Sequence, residues 1–478
     1  MRPAAVAVIA SLAFASGCAV GPDYRPPQVN VSAQWASPLA GGETNGPAAL
    51  AAWWKNFCDT NLDASITLAV HSNLDLRIAE ARVREARAER DVVAGGLWPS
   101  VVGSASYSRN RWGQNSFPPV TGVPLDYNLY SAGFDAAWEL DLFGGTRRAV
   151  EAANAEIGAA EYSRRDVLVS LLAEVARNYI EARGYQQRLA LTRQNIRVQK
   201  EILSLTRNRY QNGLSSDLDV QQATALLTTT EAQVPSLETG FQQSVHHLAV
   251  LLGQPPGALL NEMSVEKPIP VTLPEVPVGL PSDSLRRRPD VRRAERELAA
   301  ATARIGVATA DLFPKFSLTG TVGLESESPG NWFDYASRYW SAGPTLQWDL
   351  FEAGRIRANV RVQNARQEQA LDFYQKTVLV ALEDAENALT AYAKEHVRRE
   401  SLSRSVQADQ QALALSNQLY KSGLADFLRV LDSERSLYAT QDALVQSEQT
   451  ISLDLVQLYK ALGGGWQSGT TVASQNSK

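Results

Sequence analysis

The stretch LYSAGFDAAWELDLF, Leu129 to Phe143, alternates without a break. Tyr130, Ala132, Phe134, Ala136, Trp138, Leu140 and Leu142 point one way; Ser131, Gly133, Asp135, Ala137, Glu139 and Asp141 point the other. A period of two is that of a β-strand with one apolar and one polar face. The same alternation runs through FSLTGTVGLES (Phe316–Ser326) and YWSAGPTLQWDLF (Tyr339–Phe351), and more weakly through SVVGSASYSRN (Ser100–Asn110). Pro344 cannot donate to a ladder, which sets its strand at an edge or a bulge. Each run has the length of a tilted bilayer crossing, about 9–11 residues. Trp98, Tyr107, Trp112, Tyr127 and Tyr130 gather near the first pair of strands, and Trp332, Tyr339, Trp340 and Trp348 near the second. Membrane barrels carry aromatic girdles of this kind. A soluble sheet would need a second layer over its apolar face, and little sequence remains for one. Four strands cannot close a barrel, since single chains that do so start at about eight. Open edges in lipid leave backbone groups unpaired at high cost. Several chains must therefore contribute, and periodicity alone does not choose between two and three.

The strands are embedded in a repeat. Asn73–Ser100 resembles Arg288–Lys315, with Asp75 matching Asp290 and Pro99 matching Pro314. The DLFGG at Asp141 matches the DLFEAG at Asp349. Leu168, Leu172, Val175, Tyr179 and Ala182 recur 210 residues later as Val378, Leu382, Ala385, Leu389 and Tyr392, a seam stepped by four and three as in a coiled coil. Tyr210, Gly213 and Leu214 recur at the same distance as Tyr420, Gly423 and Leu424, and Leu252-Gly253 as Leu462-Gly463. Each copy reads as helix, two strands, one very long helix, a glycine hinge and a returning helix. Thr146–Gln211 and Arg355–Lys421 are the long helices, with Gly184 a weak point in the first. At about 1.5 Å per residue the first spans roughly 100 Å. The return Ser216–Leu252 and the helix Ser284–Asp311 together span roughly 97 Å. Two shorter helices end to end thus match one long one, and Asn61–Ala94 completes the path after the second return, Ala425–Leu462. The prolines of Asn261–Ser284 make that join extended. Many Ser, Gln and Asn residues on these helices fit a wall wetted on both sides.

Composition excludes several classes. Lys and Arg total 46 against 51 Asp and Glu, a net charge of −5, which argues against a nucleic-acid binder. There is no nucleophile motif, metal spacing or phosphate loop, so the chain is not read as an enzyme and no cofactor is expected. Of the four histidines, His246 and His247 are adjacent and point to different helix faces. Only Met1 and Met263 occur, so no thioether relay for soft metals is evident. The N-terminus, MRPAAVAVIASLAFASGC, has one basic residue, a short apolar run and small residues before Cys18, the anatomy of a secretory signal. Ala15-Ser16-Gly17-Cys18 resembles a bacterial lipobox, with Ala15 where the pattern usually has Leu, which makes Cys18 the expected site of lipidation. Ala19 is compatible with outer-membrane sorting. Cys58, the one other cysteine, is expected to be a small buried or partly buried residue.

GCAVGPDYRPP (Gly17–Pro27), WWKNFCDTNLD (Trp53–Asp63), the stretch Leu280–Gly320 and the NGL and SGL hinges resemble the outer-membrane efflux factors of the TolC type, in the lipoprotein branch of OprM and NodT. The resemblance covers almost the whole mature chain. It implies an α+β membrane protein, a trimer whose twelve β-strands, four per chain, form one transmembrane barrel continued by a long periplasmic α-helical barrel. It implies two partners, a periplasmic adaptor and an inner-membrane pump of the RND type, usually proton-driven, with lipid anchoring at Cys18. Gly213, Leu214, Gly423 and Leu424 would form the tips that meet the adaptor. Leu428, Asp432 and Arg435 would form the periplasmic gate; where some relatives carry a second aspartate, this chain has Arg429. Without the resemblance, Asp432 reads as a solvated residue paired with Arg435 on one helix.

The expected organisation is a signal peptide over 1–17, a lipidated extended segment over 18–60, repeats over 61–260 and 284–464 joined by a Pro-rich equatorial linker over 261–283, and a flexible tail over 465–478. The expected function is passive conduction of small molecules out of the cell as the outer-membrane part of a tripartite efflux system. A channel for type I protein secretion shares the fold, and a structural envelope lipoprotein is the alternative from another class.

Overall fold

A computed structural model describes residues 19–28, 32, 34–37, 43–44, 50–113, 125–270 and 276–466. Cys18, the signal segment and the tail from 467 lie outside the described residues. The chain separates into two compact units. The first comprises Met1–Gln28, Arg82–Ala160 and Ala294–Tyr374; the second comprises Val29–Ala81, Glu161–Arg293 and Gln375–Lys478. No helix among the described residues is long and apolar enough to cross a membrane.

The first unit is built on four strands, β1 Ser100–Arg111, β2 Asp126–Leu140, β3 Lys315–Ser326 and β4 Arg338–Gln347. They form one antiparallel sheet in chain order, so β1 and β4 are edges. Pro344 lies in β4, where an edge tolerates it. The register puts like with like. Val101 faces Ala136, Tyr107 faces Tyr130, Trp138 faces Leu318 and Phe316 faces Leu346. One face of the sheet is thus apolar and open: Phe134 is 61 % exposed and Trp340 78 %. The other face carries Ser104, Ser131, Asp135, Thr321, Ser341 and their neighbours. Strand β2 ends at Leu140, earlier than the alternation runs, because Asp141 turns to another task. Its carboxylate accepts the N–H groups of Thr146 (3.2 Å) and Arg147 (2.8 Å) at the start of the next helix. Trp138 donates its indole N–H to the Leu97 carbonyl at 2.9 Å, and Trp348, 210 residues on, does the same to Leu312 at 3.2 Å.

The N-terminal residues 19–24 are stapled to this unit. Val20 N–H donates to the Phe143 carbonyl at 3.0 Å. The buried guanidinium of Arg148 donates to the Val20 and Gly21 carbonyls and, at 2.7 Å, to Asp23. Backbone meets backbone here: a Cβ on Gly21 would lie 2.4 Å from the Gly306 Cα.

The helices are α1 Thr60–Ser72, α2 Leu74–Gly95, α3 Gly145–Gln211, α4 Asp217–Glu231, α5 Gln233–Leu251, α6 Pro281–Arg287, α7 Pro289–Ala310, α8 Arg355–Lys421 and α9 Phe427–Ala461. Three stretches read as single helices are each two. The return Ser216–Leu252 breaks at Ala232, because Pro235 has no N–H and its ring would meet the carbonyl of Glu231. Ser284–Asp311 breaks at Arg288, ahead of Pro289. Asn61–Ala94 breaks at Asn73, whose side chain instead accepts the Leu76 N–H at 3.0 Å. Asn73 and Arg288 are matched positions of the repeat, and both have extended backbone. The second return, α9, has no proline and stays whole. Among the described residues of the join, one helical turn stands at Leu260–Met263, 265–270 and 278–280 are irregular, Val276–Pro277 pairs with Glu43–Thr44 in parallel, and α6 begins at Pro281.

In the second unit the seam Leu168, Leu172, Val175, Tyr179 and Ala182 is buried throughout. On α8, Val378, Ala385, Leu389 and Tyr392 are buried, but Leu382 is half-buried and Ala381 takes its place, a smaller residue that lets the helices close up. Trp53 stacks on Tyr459 at 5.2 Å within the same core. Gly184 does not weaken α3; a Cβ there would lie 2.3 Å from the Gln449 side chain, so the glycine permits a close approach. Cys58 is exposed, contrary to expectation. It closes a short helical turn, Trp53–Phe57, with positive φ, which turns its side chain away from the core filled by Trp53 and Phe57.

Candidate functional site: the hairpin ends and a polar belt

Helices α3 and α8 stop in the same way. Leu214 N–H donates to the Arg209 carbonyl and Gly213 N–H to Tyr210; Leu424 donates to Leu419 and Gly423 to Tyr420. This double bond pattern needs a left-handed residue after the helix, and Gly213 and Gly423 have φ of 71° and 75°. The next helix then starts on a side-chain cap. Ser216 and Asp219 cap each other's N–H groups, and Asp426 accepts the Arg429 N–H at 3.3 Å. Partial burial works against ionisation of Asp219, but hydrogen bonds from Ser215 and Ser216 outweigh it and hold its carboxyl below the usual range. Both predicted turns are therefore real hairpin ends, with Leu214 and Leu424 largely exposed.

Between the hairpins lies a small separate core of Leu203, Val220, Leu226, Leu227, Tyr420, Phe427, Val430 and Leu431. Arg209 from the first hairpin lies 4.6 Å over the Tyr420 ring of the second. The apolar side of α9 continues one turn to Glu434, which is buried and whose Oε2 finds no hydrogen-bond partner among the described residues. Burial pushes this carboxyl up to about 7.

Leu428, Asp432 and Arg435 share the opposite side of α9, at steps of four and three. Asp432 is 64 % exposed, and among the described residues its one ion pair is a long contact of 4.0 Å to Arg435. Arg429 pairs at 3.9 Å with Asp426, outside this row. The three predicted gate residues are thus brought together on one helix face, exposed and clear of the hairpin core.

Sequence reasoning missed what lies next along α9. Arg188 of α3 grips Asp442 through bonds of 2.7 and 3.0 Å. The Tyr438 hydroxyl lies 2.9 Å from Thr192 of α3 and donates to Gln233 at 2.5 Å. Gln233 is the first residue after the break at Ala232. These groups form a polar belt between the hairpin core and the main core. No local signal marks a pair separated by 254 residues. Glu434 did leave a signal: it continues the apolar row Phe427, Val430, Leu431 at helical spacing.

The family model described as "Outer membrane efflux protein" matches the chain twice, over residues 66–254 and 280–464. The chain belongs to the outer membrane efflux protein family. Among its relatives, Nodulation protein T of Rhizobium leguminosarum bv. trifolii is 33 % identical over 94 % of this chain and 95 % of the relative. The pyoverdine export outer membrane protein OpmQ of Pseudomonas aeruginosa is 32 % identical over 97 % of each. Of solved structures, the outer-membrane channel OprN is 39 % identical with a TM-score of 0.88, covering 94 % of this chain and 100 % of that one. The open state of the Neisseria gonorrhoeae outer membrane channel MtrE is 28 % identical with a TM-score of 0.80, covering 94 % and 99 %. These are channels of the TolC type. This member of the family accordingly stands in the bacterial outer membrane, has a large periplasmic portion and serves as the outer-membrane channel of an efflux system.

Proposed function

We propose that three chains join edge to edge, β4 of one to β1 of the next, into a twelve-stranded barrel. It passively conducts small molecules handed over by a periplasmic adaptor and an inner-membrane RND-type pump. The observation that carries this is the four-stranded sheet with two free edges and an open apolar face. In lipid such edges must be paired, and a closed barrel is how sheets achieve it. The duplicated hairpins, each with its glycine stop and capped restart, support a ring of six tips in which Gly213, Leu214, Gly423 and Leu424 meet the adaptor. A lipid on Cys18 would add a second hold on the membrane.

The exposed row Leu428, Asp432 and Arg435 supports a gate. Around a three-fold axis each ring would repeat its charge, and like charges held close repel unless an opposite charge compensates. Arg435 is in place to do so. Adaptor binding would then favour an open arrangement already in equilibrium with the closed one. Export names among the relatives, pyoverdine for OpmQ, favour small molecules over secreted proteins as cargo. Planar-bilayer recordings test the gate. Asp432→Ala and Arg435→Ala should each raise conductance of the resting channel and antibiotic leak in cells. Unchanged conductance and leak in both variants would remove these residues from the gate.

A further inference from the structure

The open apolar face of the sheet is not uniform. It sinks into a groove of about 730 Å³ that lies mid-strand on β1 and β2 and at the loop end of β3 and β4. The register explains why. Gly103, Phe134, Val322 and Trp340 form one row across the four strands, and Ala105, Ala132, Leu324 and Arg338 form the next. Gly103, Ala105 and Ala132 supply almost no side chain, so they make a floor, with Phe134 and Trp340 standing beside it. The Phe134 ring leans over Gly103, 3.3 Å from where a Cβ would be.

Arg338 is the first residue of β4 and stands at the loop end of this groove. It is exposed, its guanidinium lies 5.0 Å over the Tyr335 ring, and among the described residues it forms no ion pair. Tyr335 steadies the arginine without neutralising it. On the face that meets lipid, a cation at the edge of the hydrocarbon is costly unless it finds an anion. The planar guanidinium fork matches phosphate oxygens two at a time. A groove of this size takes a small amphiphile, and its floor and walls are apolar. The complement is therefore an acyl chain with a phosphate beside it. The loop end of the sheet is the end away from the helices, so the groove opens to the outer leaflet, whose lipid in a bacterial outer membrane is a phosphorylated glycolipid.

We propose that this groove binds an acyl chain of a lipid A-type glycolipid, with Arg338 holding its phosphate. The inference rests on the reading that the sheet stands in the outer membrane with its loops outward. Native mass spectrometry of the full-length channel in detergent tests it, with lipid A and its dephosphorylated form added in turn. Arg338→Gln should weaken lipid A binding about tenfold and leave the dephosphorylated form unchanged. Ala132→Leu, which fills the floor, should weaken both. Equal lipid A binding by Arg338→Gln and the unaltered channel would overturn the site, as would equal binding of the two lipids by the unaltered channel. The same spectra count chains. A monomer that still prefers lipid A through Arg338 keeps the site and sinks the trimer, whereas a trimer without that preference does the reverse.

Discussion

Arg188 and Asp442 are joined by two hydrogen bonds, at 2.7 and 3.0 Å, between α3, which leads into the first hairpin, and α9, which leads out of the second. The pair is only partly exposed, so solvent screens it less than a surface bridge. A two-pronged bond of this kind couples the helices by about 1.5 kcal/mol. A double-mutant cycle with Arg188→Ala and Asp442→Ala, read by hydrogen exchange in α9, should return a coupling near that value. Strict additivity of the two changes would show that the bond holds nothing.

The stops at Gly213 and Gly423 have open space where a Cβ would go. A side chain there costs only backbone strain, about 1 kcal/mol for the left-handed conformation. Gly423→Ala and Gly213→Ala should therefore loosen their hairpin ends by similar amounts, and Gly423→Asn by less. Exchange of the Leu214 and Leu424 amides measures this. A difference of severalfold between the two alanine variants would contradict the equivalence of the hairpins.

Glu434 gives the hairpin core a pH dependence with a definite sign. Its folded value, about 7, lies above the ordinary value of 4.5. The folded state therefore binds the proton more tightly, and stability is fully present below about pH 4.5 and lost as pH rises to about 7. The loss is at most about 3 kcal/mol. Glu434→Gln should flatten exchange of Phe427–Glu434 amides between those limits and slow it at pH 7. If the glutamine variant keeps the slope, the titrating group is elsewhere.

Arg148 ties residues 20–23 to the first unit through three acceptors. Arg148→Ala should release the segment at a cost of roughly 2 kcal/mol. The Val20 amide, bonded to Phe143, should then exchange much faster while the amides of β2 and β3 stay protected. Loss of protection throughout the sheet would mean that the arginine supports the whole unit instead.

Much of this molecule was legible because its patterns are local. Alternation in Leu129–Phe143 fixes which side chains share a face, since successive strand residues must point oppositely. The 210-residue echo of Gly213 in Gly423 marks two chain reversals, since only a residue tolerant of positive φ closes a helix that way. Pro235 and Pro289 were in view too, and their breaks follow from the missing N–H, although length alone suggested unbroken helices. The row Leu428, Asp432, Arg435 follows from 3.6 residues per turn. Two unsatisfied outer edges follow once four strands are found, since an open sheet always leaves two.

Other features depended on distance. Arg188 meets Asp442 only because two long helices settle side by side, and nothing near either residue announces the other. Gly184 looked like a defect until Gln449 was found against it. Cys58 was expected inside and is outside, because one positive φ redirected it. Arg338 is an unremarkable arginine in the chain; its meaning comes from Leu324, Ala132 and Ala105 lying level with it across three strand pairings. The sequence by itself determined the elements, their faces and their stops, because those obey short-range sterics and periodicity. Tertiary structure alone decided which charges are paired, which are stranded and where the face is hollow, because those depend on which distant side chains share one small volume.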